Sequence, residues 1–220
     1  MEEPFHRDGV TGILDRPALP NGDGVILTHG AGSNCRAPLL AKLAGALADA
    51  GLIVLRYDLP FRQQRPQGPP LPASAARDRE GVAQAIEALS KLATGRIFAG
   101  GHSYGGRQTA MLAAERPPLA AALLLLSYPL HPPNKPHQMR TSFFPDLATP
   151  ALFVHGTADP FASLEELRQA MALISAPTDL LAVEGAGHDL KRASGLASEM
   201  LQRLRALTEK EAQGRQRSGG

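Results

Sequence analysis

A serine between two glycines stands in a stretch that could carry nucleophilic chemistry. Gly101, Ser103 and Gly105 give the pattern G-x-S-x-G, between an apolar run of strand type at 97–99 and a helix-type run from Gln108. A strand, this pattern and a helix together predict a tight turn that exposes the serine hydroxyl as a nucleophile. Because the pattern is short, a glycine-rich turn with an incidental serine is the alternative interpretation.

A nucleophilic serine needs a base, and the base needs an acid that orients it. Asp159 follows one apolar strand-type run, and His188 follows the next within a glycine-rich loop. The chain order Ser103, Asp159, His188 favours a catalytic triad built at the ends of successive strands. Alternatively, Asp159 caps the next helix and His188 begins the last one. Asp189 is a weaker candidate for the acid because it adjoins His188 in sequence.

Backbone N–H groups beside the serine are expected to form an oxyanion hole. The N–H of Tyr104, directly after the serine, is one expected donor. The other is expected from the loop H-G-A-G-S, where Ala31 is the first candidate and Gly30 or Gly32 are alternatives. A phosphate-binding loop does not fit, since Cys35 stands where G-x-G-x-x-G needs its third glycine and no G-K-[S/T] occurs.

Strand-type runs alternate with runs of helical periodicity along the chain. Most strand-type runs are apolar from end to end, which indicates a mainly parallel sheet covered by helices on both faces. The predicted class is therefore α/β, with a single domain over 1–207, no large cap, and a disordered basic tail over 208–220. The predicted strands are 9–14, 25–28, 52–57, 97–99, 120–126, 151–154 and 178–183, and the predicted helices are 38–50, 75–92, 108–114, 161–174 and 190–207. Residues 60–72 and 127–149 are predicted to be irregular.

Composition is that of an ordinary globular protein. Of the 220 residues, 43% are hydrophobic and 20% are charged, and the formal net charge is +2 with no recognisable basic patch, so we expect no nucleic-acid partner. The single cysteine, Cys35, excludes an intramolecular disulfide and is expected to be buried. The first residues are polar, and the longest apolar run, 119–126, is too short to span a bilayer. We therefore expect a cytoplasmic protein without membrane contact.

Several segments in combination resemble the α/β-hydrolase superfamily. They read H-G-A-G-S, L-R-Y-D-L-P-F-R, G-G-H-S-Y-G-G-R, Y-P-L-H-P-P, H-G-T-A-D-P-F and G-A-G-H, and the similarity covers roughly residues 9 to 207. More narrowly, the chain is similar to the small lidless branch related to dienelactone hydrolases, and within it to the testis-expressed protein 30 and KANSL3 group of predicted hydrolases. The resemblance implies Ser103 as nucleophile, Asp159 as acid and His188 as base. Close relatives of dienelactone hydrolase often use cysteine as nucleophile, so the serine here favours ester or thioester hydrolysis.

The expected reaction is hydrolysis of a small carboxylic ester or thioester through an acyl-enzyme, without metal or organic cofactor. Arg62 is the first candidate to bind an anionic group on the substrate. Tyr128 and His131 are candidates to line the acyl side, with core or rim packing as the alternative. Further positive residues near the expected site are Arg56, Arg107, Lys135 and Arg140.

A second hypothesis is a catalytically silent scaffold that acts as a binding or interaction module. The retained triad and oxyanion residues speak against it. The only partner expected for the enzyme is its small-molecule substrate, and the chain is expected to be a monomer or a homodimer.

Overall fold

An eight-stranded sheet forms the centre of the protein in a computed structural model, which describes residues 1–191 and 193–218 except the side chains of 194 and 215–218. The strand order is β1-β2-β4-β3-β5-β6-β7-β8, with antiparallel β1–β2 and β2–β4 pairs and parallel pairs elsewhere. The strands are β1 Glu2–Arg7, β2 Val10–Asp15, β3 Gly24–Thr28, β4 Ile53–Tyr57, β5 Ile97–His102, β6 Ala122–Leu126, β7 Ala151–Gly156 and β8 Thr178–Val183.

Helices cover both faces of this sheet. Helices α1 and α6 pack on one face, and α3, α4 and α5 pack on the other. The helices are α1 Pro38–Asp49, α2 Pro60–Gln64, α3 Ala75–Ser90, α4 Tyr104–Glu115, α5 Leu164–Met171 and α6 Ala197–Ser218, with 3₁₀ turns at Pro72–Ser74, Phe144–Asp146 and Ala193–Leu196. The predicted single-domain α/β class is confirmed.

The central strand β6 shows why the strands are apolar throughout. Leu123 and Leu125 face the layer of α3, α4 and α5, whereas Leu124 and Leu126 face the layer of α1 and α6. Since successive strand residues point to opposite faces, a strand covered on both sides needs an apolar residue at every position. Because β3 to β8 run parallel, their carboxyl ends lie at one edge of the sheet, where ligands of open α/β sheets bind.

Two short elements depart from the predictions. The polar first residues form the edge strand β1, in which only Phe5 is buried, so no apolar run marked it. The stretch 60–72 was predicted to be irregular, yet its first residues form the helix α2, which begins at Pro60. Proline is well suited to a first helical turn. The long segment 127–149 contains a single 3₁₀ turn in the described chain and forms no large cap.

The last helix is shifted and extended relative to the prediction. It begins at Ala197 after a 3₁₀ turn, rather than at residue 190, and it continues through Ser218. The helix therefore covers most of 208–220, where a disordered tail was predicted, and residues 219–220 lie outside the described residues. None of the described helices has both the length and the apolarity needed to cross a membrane.

Candidate active site

Ser103 occupies a sharp turn between β5 and α4. Its backbone has φ 51° and ψ −115°, a conformation that residues with a side chain rarely adopt. Two hydrogen bonds hold it there: the Ser103 N–H donates to the Leu126 carbonyl (2.8 Å), and the Ser103 carbonyl accepts from the Arg107 N–H (2.9 Å). The turn places the serine at the edge of the sheet formed by the strand ends.

Glycines on either side of the serine let β3 approach this turn. A Cβ atom on Gly101 would lie 2.5 Å from the Thr28 carbonyl oxygen, and one on Gly105 would lie 2.6 Å from the His29 carbonyl oxygen. Any side chain at either position would push the end of β3 away from Ser103. The G-x-S-x-G spacing therefore reflects close backbone packing around the serine.

The three residues proposed from sequence as a triad lie in direct contact. The Nε2 atom of His188 is 2.8 Å from the Ser103 hydroxyl oxygen, and its Nδ1 atom is 2.8 Å from Oδ2 of Asp159. In the neutral imidazole that donates from Nδ1 to the carboxylate, Nε2 is free to accept the serine proton. By contrast, Asp189 is largely exposed and pairs with Lys191 (3.1 Å).

The carboxyl group of Asp159 is buried and ionised. Burial alone would raise its pKa, but hydrogen bonds from His188 and from the Phe161 N–H (2.9 Å) outweigh that effect and leave the pKa below its usual value. His155 lies behind the carboxylate, with Nε2 3.8 Å from Oδ2 of Asp159 and 3.0 Å from the Ala162 carbonyl oxygen. Burial lowers the pKa of His155, so this ring stays neutral and leaves the negative charge for His188.

The loops after β7 and β8 are locked together, which fixes the distance between Asp159 and His188. The Ala158 N–H donates to the Ala186 carbonyl (3.0 Å), and a Cβ atom on Gly156 would lie 2.2 Å from that same oxygen. The ring of Phe161 lies against the imidazole of His188, with centroids 4.2 Å apart and planes inclined by 30°. These contacts restrict the imidazole to one orientation.

His102 supports the loop of His188 and was not identified from the sequence. Its Nε2 atom is 2.7 Å from the backbone carbonyl oxygen of His188, so a proton on Nε2 fixes the loop that carries His188. Burial lowers the pKa of His102, which keeps the ring neutral. Its Nδ1 side lies against Gly30, where an added Cβ would come within 3.0 Å. The only sequence signal was its place next to Ser103.

The two predicted oxyanion donors lie in the expected elements. Tyr104 is the first residue of α4, and Ala31 lies in the loop after β3. Among the described residues, neither N–H has a hydrogen-bond acceptor. A Cβ atom on the neighbouring Gly30 would lie 3.5 Å from Cβ of Ser103, so this loop adjoins the serine.

Arg62 does not extend into the site, which corrects its predicted role in binding an anionic substrate group. Its guanidinium is buried and donates to four backbone carbonyls. The acceptors are Ser33 (2.8 Å), Ala31 (2.8 Å), Gly68 (2.9 Å) and Arg65 (3.0 Å). Four N–H groups of the guanidinium are therefore used by the protein's own backbone. Arg62 instead fastens the loop of Ala31.

His29 fastens the same loop from the inside. Its Nδ1 is 2.9 Å from the Gly30 carbonyl oxygen, and its Nε2 accepts from the Leu59 N–H (3.2 Å). The ring is fully buried, and burial lowers its pKa, so it is neutral with the proton on Nδ1. Together, His29 and Arg62 bind the carbonyl groups of Gly30, Ala31 and Ser33, and within the described residues the Ala31 N–H has no acceptor.

Tyr128 and His131 are also buried rather than placed on a substrate surface. Tyr128 packs against Phe144 with ring centroids 5.4 Å apart, and its hydroxyl donates to the Arg140 carbonyl (2.6 Å). His131 is 6% exposed, and its Nδ1 is 2.9 Å from the Pro132 carbonyl oxygen. Both residues order the segment after β6, which favours the alternative of core packing over a position on the acyl side.

A cleft of about 290 Å³ opens beside the serine turn, between the loop after β3 and the start of α1. Gly30 and His102 belong to its wall, so the cleft borders the serine turn. Its apolar wall consists of Ala37, Pro38, Leu39 and Leu40, and two lysines, Lys42 and Lys191, also line it. Nearby Cys35 is buried as predicted, and burial raises the pKa of its thiol to about 12, so it remains protonated.

The sheet order, the strained serine after β5 and the loops after β7 and β8 define an α/β-hydrolase fold. Residues 22–213 match the alpha/beta hydrolase domain family, and the chain belongs to this family. The fold is similar to that of a dienelactone hydrolase from Anabaena variabilis, with 21% identity over 93% of this chain and 96% of that chain and a TM-score of 0.71.

Two further solved structures share the fold. A serine hydrolase without a lid from Xanthomonas campestris has 17% identity over 92% of this chain and 94% of that chain, with a TM-score of 0.74. Est1E from Butyrivibrio proteoclasticus has 18% identity over 96% of this chain and 98% of that chain, with a TM-score of 0.66. At these identities, the likeness concerns architecture.

Proposed function

We propose that the protein is a serine hydrolase that cleaves a small carboxylic ester or thioester through an acyl-enzyme intermediate. The observation that carries the proposal is the unbroken series of contacts from Ser103 through His188 to Asp159, both at 2.8 Å. Separations of this size allow proton transfer between nucleophile and base. The elements that hold these residues follow three different strands, so their meeting is a property of the fold.

In the first half of the reaction, His188 takes the proton of Ser103 as the serine oxygen attacks the substrate carbonyl. Asp159 holds the Nδ1 proton and stabilises the imidazolium that forms. The N–H groups of Tyr104 and Ala31 donate to the oxygen that becomes negatively charged. The leaving alcohol or thiol then takes the proton from Nε2 of His188, and the acyl group stays on Ser103.

In the second half, His188 removes a proton from water, which attacks the acyl carbonyl. The oxyanion again accepts hydrogen bonds from the two N–H groups. Collapse of the tetrahedral intermediate releases the acid, and His188 returns its proton to the Ser103 oxygen. The apolar wall of the cleft beside Gly30 suits a short apolar part of the substrate. Similarity of architecture to dienelactone hydrolase and to Est1E supports this class of reaction. The resemblance to the testis-expressed protein 30 group stays a hypothesis.

The test is labelling with a fluorophosphonate probe, followed by mass mapping, on the wild type and Ser103→Ala. We expect one label at Ser103 and turnover of short p-nitrophenyl esters, both abolished in the variant. Ser127→Ala is a matched control, because Ser127 directly follows the neighbouring strand β6, also has positive φ (46°), and makes no side-chain hydrogen bond in the described structure. It should label like the wild type. A folded wild type that neither labels nor turns over esters would favour the silent scaffold instead.

A further inference from the structure

Asp78 is a buried acidic residue to which the proposed reaction assigns no step. It lies in the first turn of α3 and is fully buried. Its Oδ1 atom accepts a hydrogen bond from the Phe61 N–H (2.9 Å), and its Oδ2 atom accepts one from the Tyr104 hydroxyl (2.7 Å). The Ser74 hydroxyl oxygen lies 3.2 Å from the same Oδ2 atom. Asp78 therefore joins α3 to two other elements, the helix α2 and the start of α4.

The contact with Tyr104 restrains one of the two proposed oxyanion donors. Burial raises the pKa of the Tyr104 phenol above its usual value, and the neighbouring Asp78 raises it further, so the hydroxyl keeps its proton and donates it. The Tyr104 ring also packs edge-on against the Phe61 ring, with centroids 5.7 Å apart and planes inclined by 87°. A side chain that is held at its ring and at its hydroxyl restrains the first residue of α4, which carries the N–H next to Ser103.

The contact with Phe61 restrains the element behind the other proposed donor. Phe61 is the second residue of α2, and the next residue, Arg62, donates to the Ala31 carbonyl (2.8 Å). The helix α2 has only five residues, so its own hydrogen bonds stabilise it weakly and its position depends on the elements packed against it. Asp78 binds the backbone of α2 one residue before Arg62, and it thereby directs the guanidinium that holds the Ala31 loop.

We propose that Asp78 is a positioning residue that sets the placement of the Tyr104 and Ala31 N–H groups relative to each other. An apolar side chain could fill the same space, but it would lack the oxygen atoms that join an N–H of one element to an O–H of another. The proposal rests on the proposed hydrolase function and adds to it a residue that acts only through other residues. Because the oxyanion develops in the transition state, Asp78 affects kcat rather than binding of the neutral ester.

The kinetic test compares Asp78→Ala with Asp78→Asn on a short p-nitrophenyl ester. The alanine variant loses both acceptors, so kcat should fall by about 30-fold, less than for loss of an oxyanion donor itself, with KM nearly unchanged. The asparagine variant keeps an oxygen for the Phe61 N–H and offers an N–H group to the Tyr104 oxygen, so it should recover most of the loss. Equal losses in the two variants would overturn positioning through these hydrogen bonds.

Two further variants separate positioning from general destabilisation. Tyr104→Phe removes one hydroxyl and keeps the ring and the N–H, so it should fold even if Asp78→Ala does not, and kcat should fall by about fivefold. Asp23→Ala is the matched control, because Asp23 is also buried but precedes β3 at the opposite edge of the sheet, where it accepts from the Arg96 N–H (3.0 Å). It should lower the urea unfolding midpoint and leave kcat unchanged. Wild-type kcat in Tyr104→Phe, or equal kcat losses in Asp23→Ala and Asp78→Ala, would assign Asp78 a purely structural role and overturn the proposal.

Amide NMR spectra of isotopically labelled protein test the arrangement independently of turnover. Asp78→Ala should shift the amide signals of both Tyr104 and Ala31, Arg62→Met should shift that of Ala31, and Asp23→Ala should leave both in place. Unchanged signals at both positions in a folded Asp78→Ala protein would overturn the proposal even if the wild type hydrolyses esters. Shifted signals in a protein whose wild type hydrolyses no ester would support the positioning of the two N–H groups and contradict the hydrolase function alone.

Discussion

Two regions of the site hold their groups in place in different ways. The first consists of the loops after β5, β7 and β8, and the second is the loop after β3. In the first region, three side chains contact one another in series, Ser103 to His188 to Asp159. In the second, the groups proposed to act on the substrate are backbone N–H groups, and the side chains of His29 and Arg62 bind carbonyls of the loop instead. In the first region the side chains are the proposed reacting groups, whereas in the second region the side chains hold the backbone in place.

The difference decides what a substitution should do. Removing a side chain of the first region removes a proposed chemical group and leaves its neighbours packed. Removing a side chain of the second leaves several carbonyls without donors and frees the backbone to move, so stability and activity should fall together. His102 joins the regions, because it binds the carbonyl of His188 and lies against Gly30.

After Ser103→Ala, the largest effect is expected for Asp159→Asn. The amide cannot stabilise an imidazolium and favours the wrong tautomer of His188, so kcat should fall by about 10³–10⁴-fold. Steady-state kinetics on a short p-nitrophenyl ester, with circular dichroism to verify folding, measures it. Asp189→Asn is the companion variant: its carboxylate contacts Lys191, so it should cost less than about tenfold. Equal losses in the two variants would contradict the assignment of Asp159.

Arg62→Met should produce the next largest effect, and of a different kind. Without the guanidinium, the carbonyls of Ala31 and Ser33 lose their donor, so the Ala31 N–H is no longer held toward the serine. We expect kcat to fall by about 10²-fold, as for the loss of one oxyanion donor, and the free energy of unfolding to fall by about 3 kcal/mol.

Urea unfolding and ester kinetics on the same Arg62→Met sample provide the measurement. Arg36→Met is the control, since Arg36 is exposed and lies just beyond the same loop. An Arg62→Met protein that loses affinity for anionic esters, with stability and kcat intact, would restore the earlier prediction of substrate binding and remove the distinction between the two regions.

The sequence predicted the contacts of the first region and missed those of the second, for a physical reason. Ser103, Asp159 and His188 each follow an apolar strand, and their side-chain chemistry is visible in the residue type. The role of Arg62 depends on carbonyls at 31, 33, 65 and 68, which any residue type provides. Backbone acceptors leave no trace in sequence, so an arginine near a site was interpreted as a substrate ligand.

Burial limited the predictions in the same way elsewhere. The buried strands were found because every position is apolar, whereas β1 was missed because only Phe5 of its six residues is buried. Tyr128 and His131 are covered by Phe144 and by the segment around Phe161, contacts made between distant parts of the chain. A polar aromatic residue after a strand is compatible with a pocket wall or a core position, and packing alone separates the two.

His102→Phe tests the contact that His102 makes between the two regions, and it should reduce activity less than Asp159→Asn or Arg62→Met. It removes the hydrogen bond to the His188 carbonyl while keeping an aromatic ring, so kcat should fall by about five- to tenfold with little change in KM. His102→Gln places an amide donor at a similar reach and should recover most of the loss. If both variants behaved alike, the hydrogen bond would not position the base. Ester kinetics and unfolding midpoints measured together separate positioning from general destabilisation.

Gradual acid destabilisation should distinguish the two regions least sharply, because each contains a buried neutral histidine. Burial lowers the pKa values of His29, His102 and His155 from the ordinary value of 6.5. The unfolded chain therefore binds protons that the folded protein excludes, so stability is full above pH 6.5 and falls as the pH drops below it. Each ring contributes a slope of at most about 1.4 kcal/mol per pH unit.

Urea unfolding between about pH 5 and pH 7.5 checks this expectation, with His29→Gln and His155→Gln as single-site comparisons. Each substitution should reduce the pH dependence of the free energy of unfolding at acid pH by the contribution of one histidine, whatever it does to stability at neutral pH. If His29→Gln alone reduced the pH dependence of stability, the acid-sensitive element would be the loop after β3, whose backbone this histidine holds. Equal contributions would mean that both regions exclude protons to the same degree although only one uses side chains at the site.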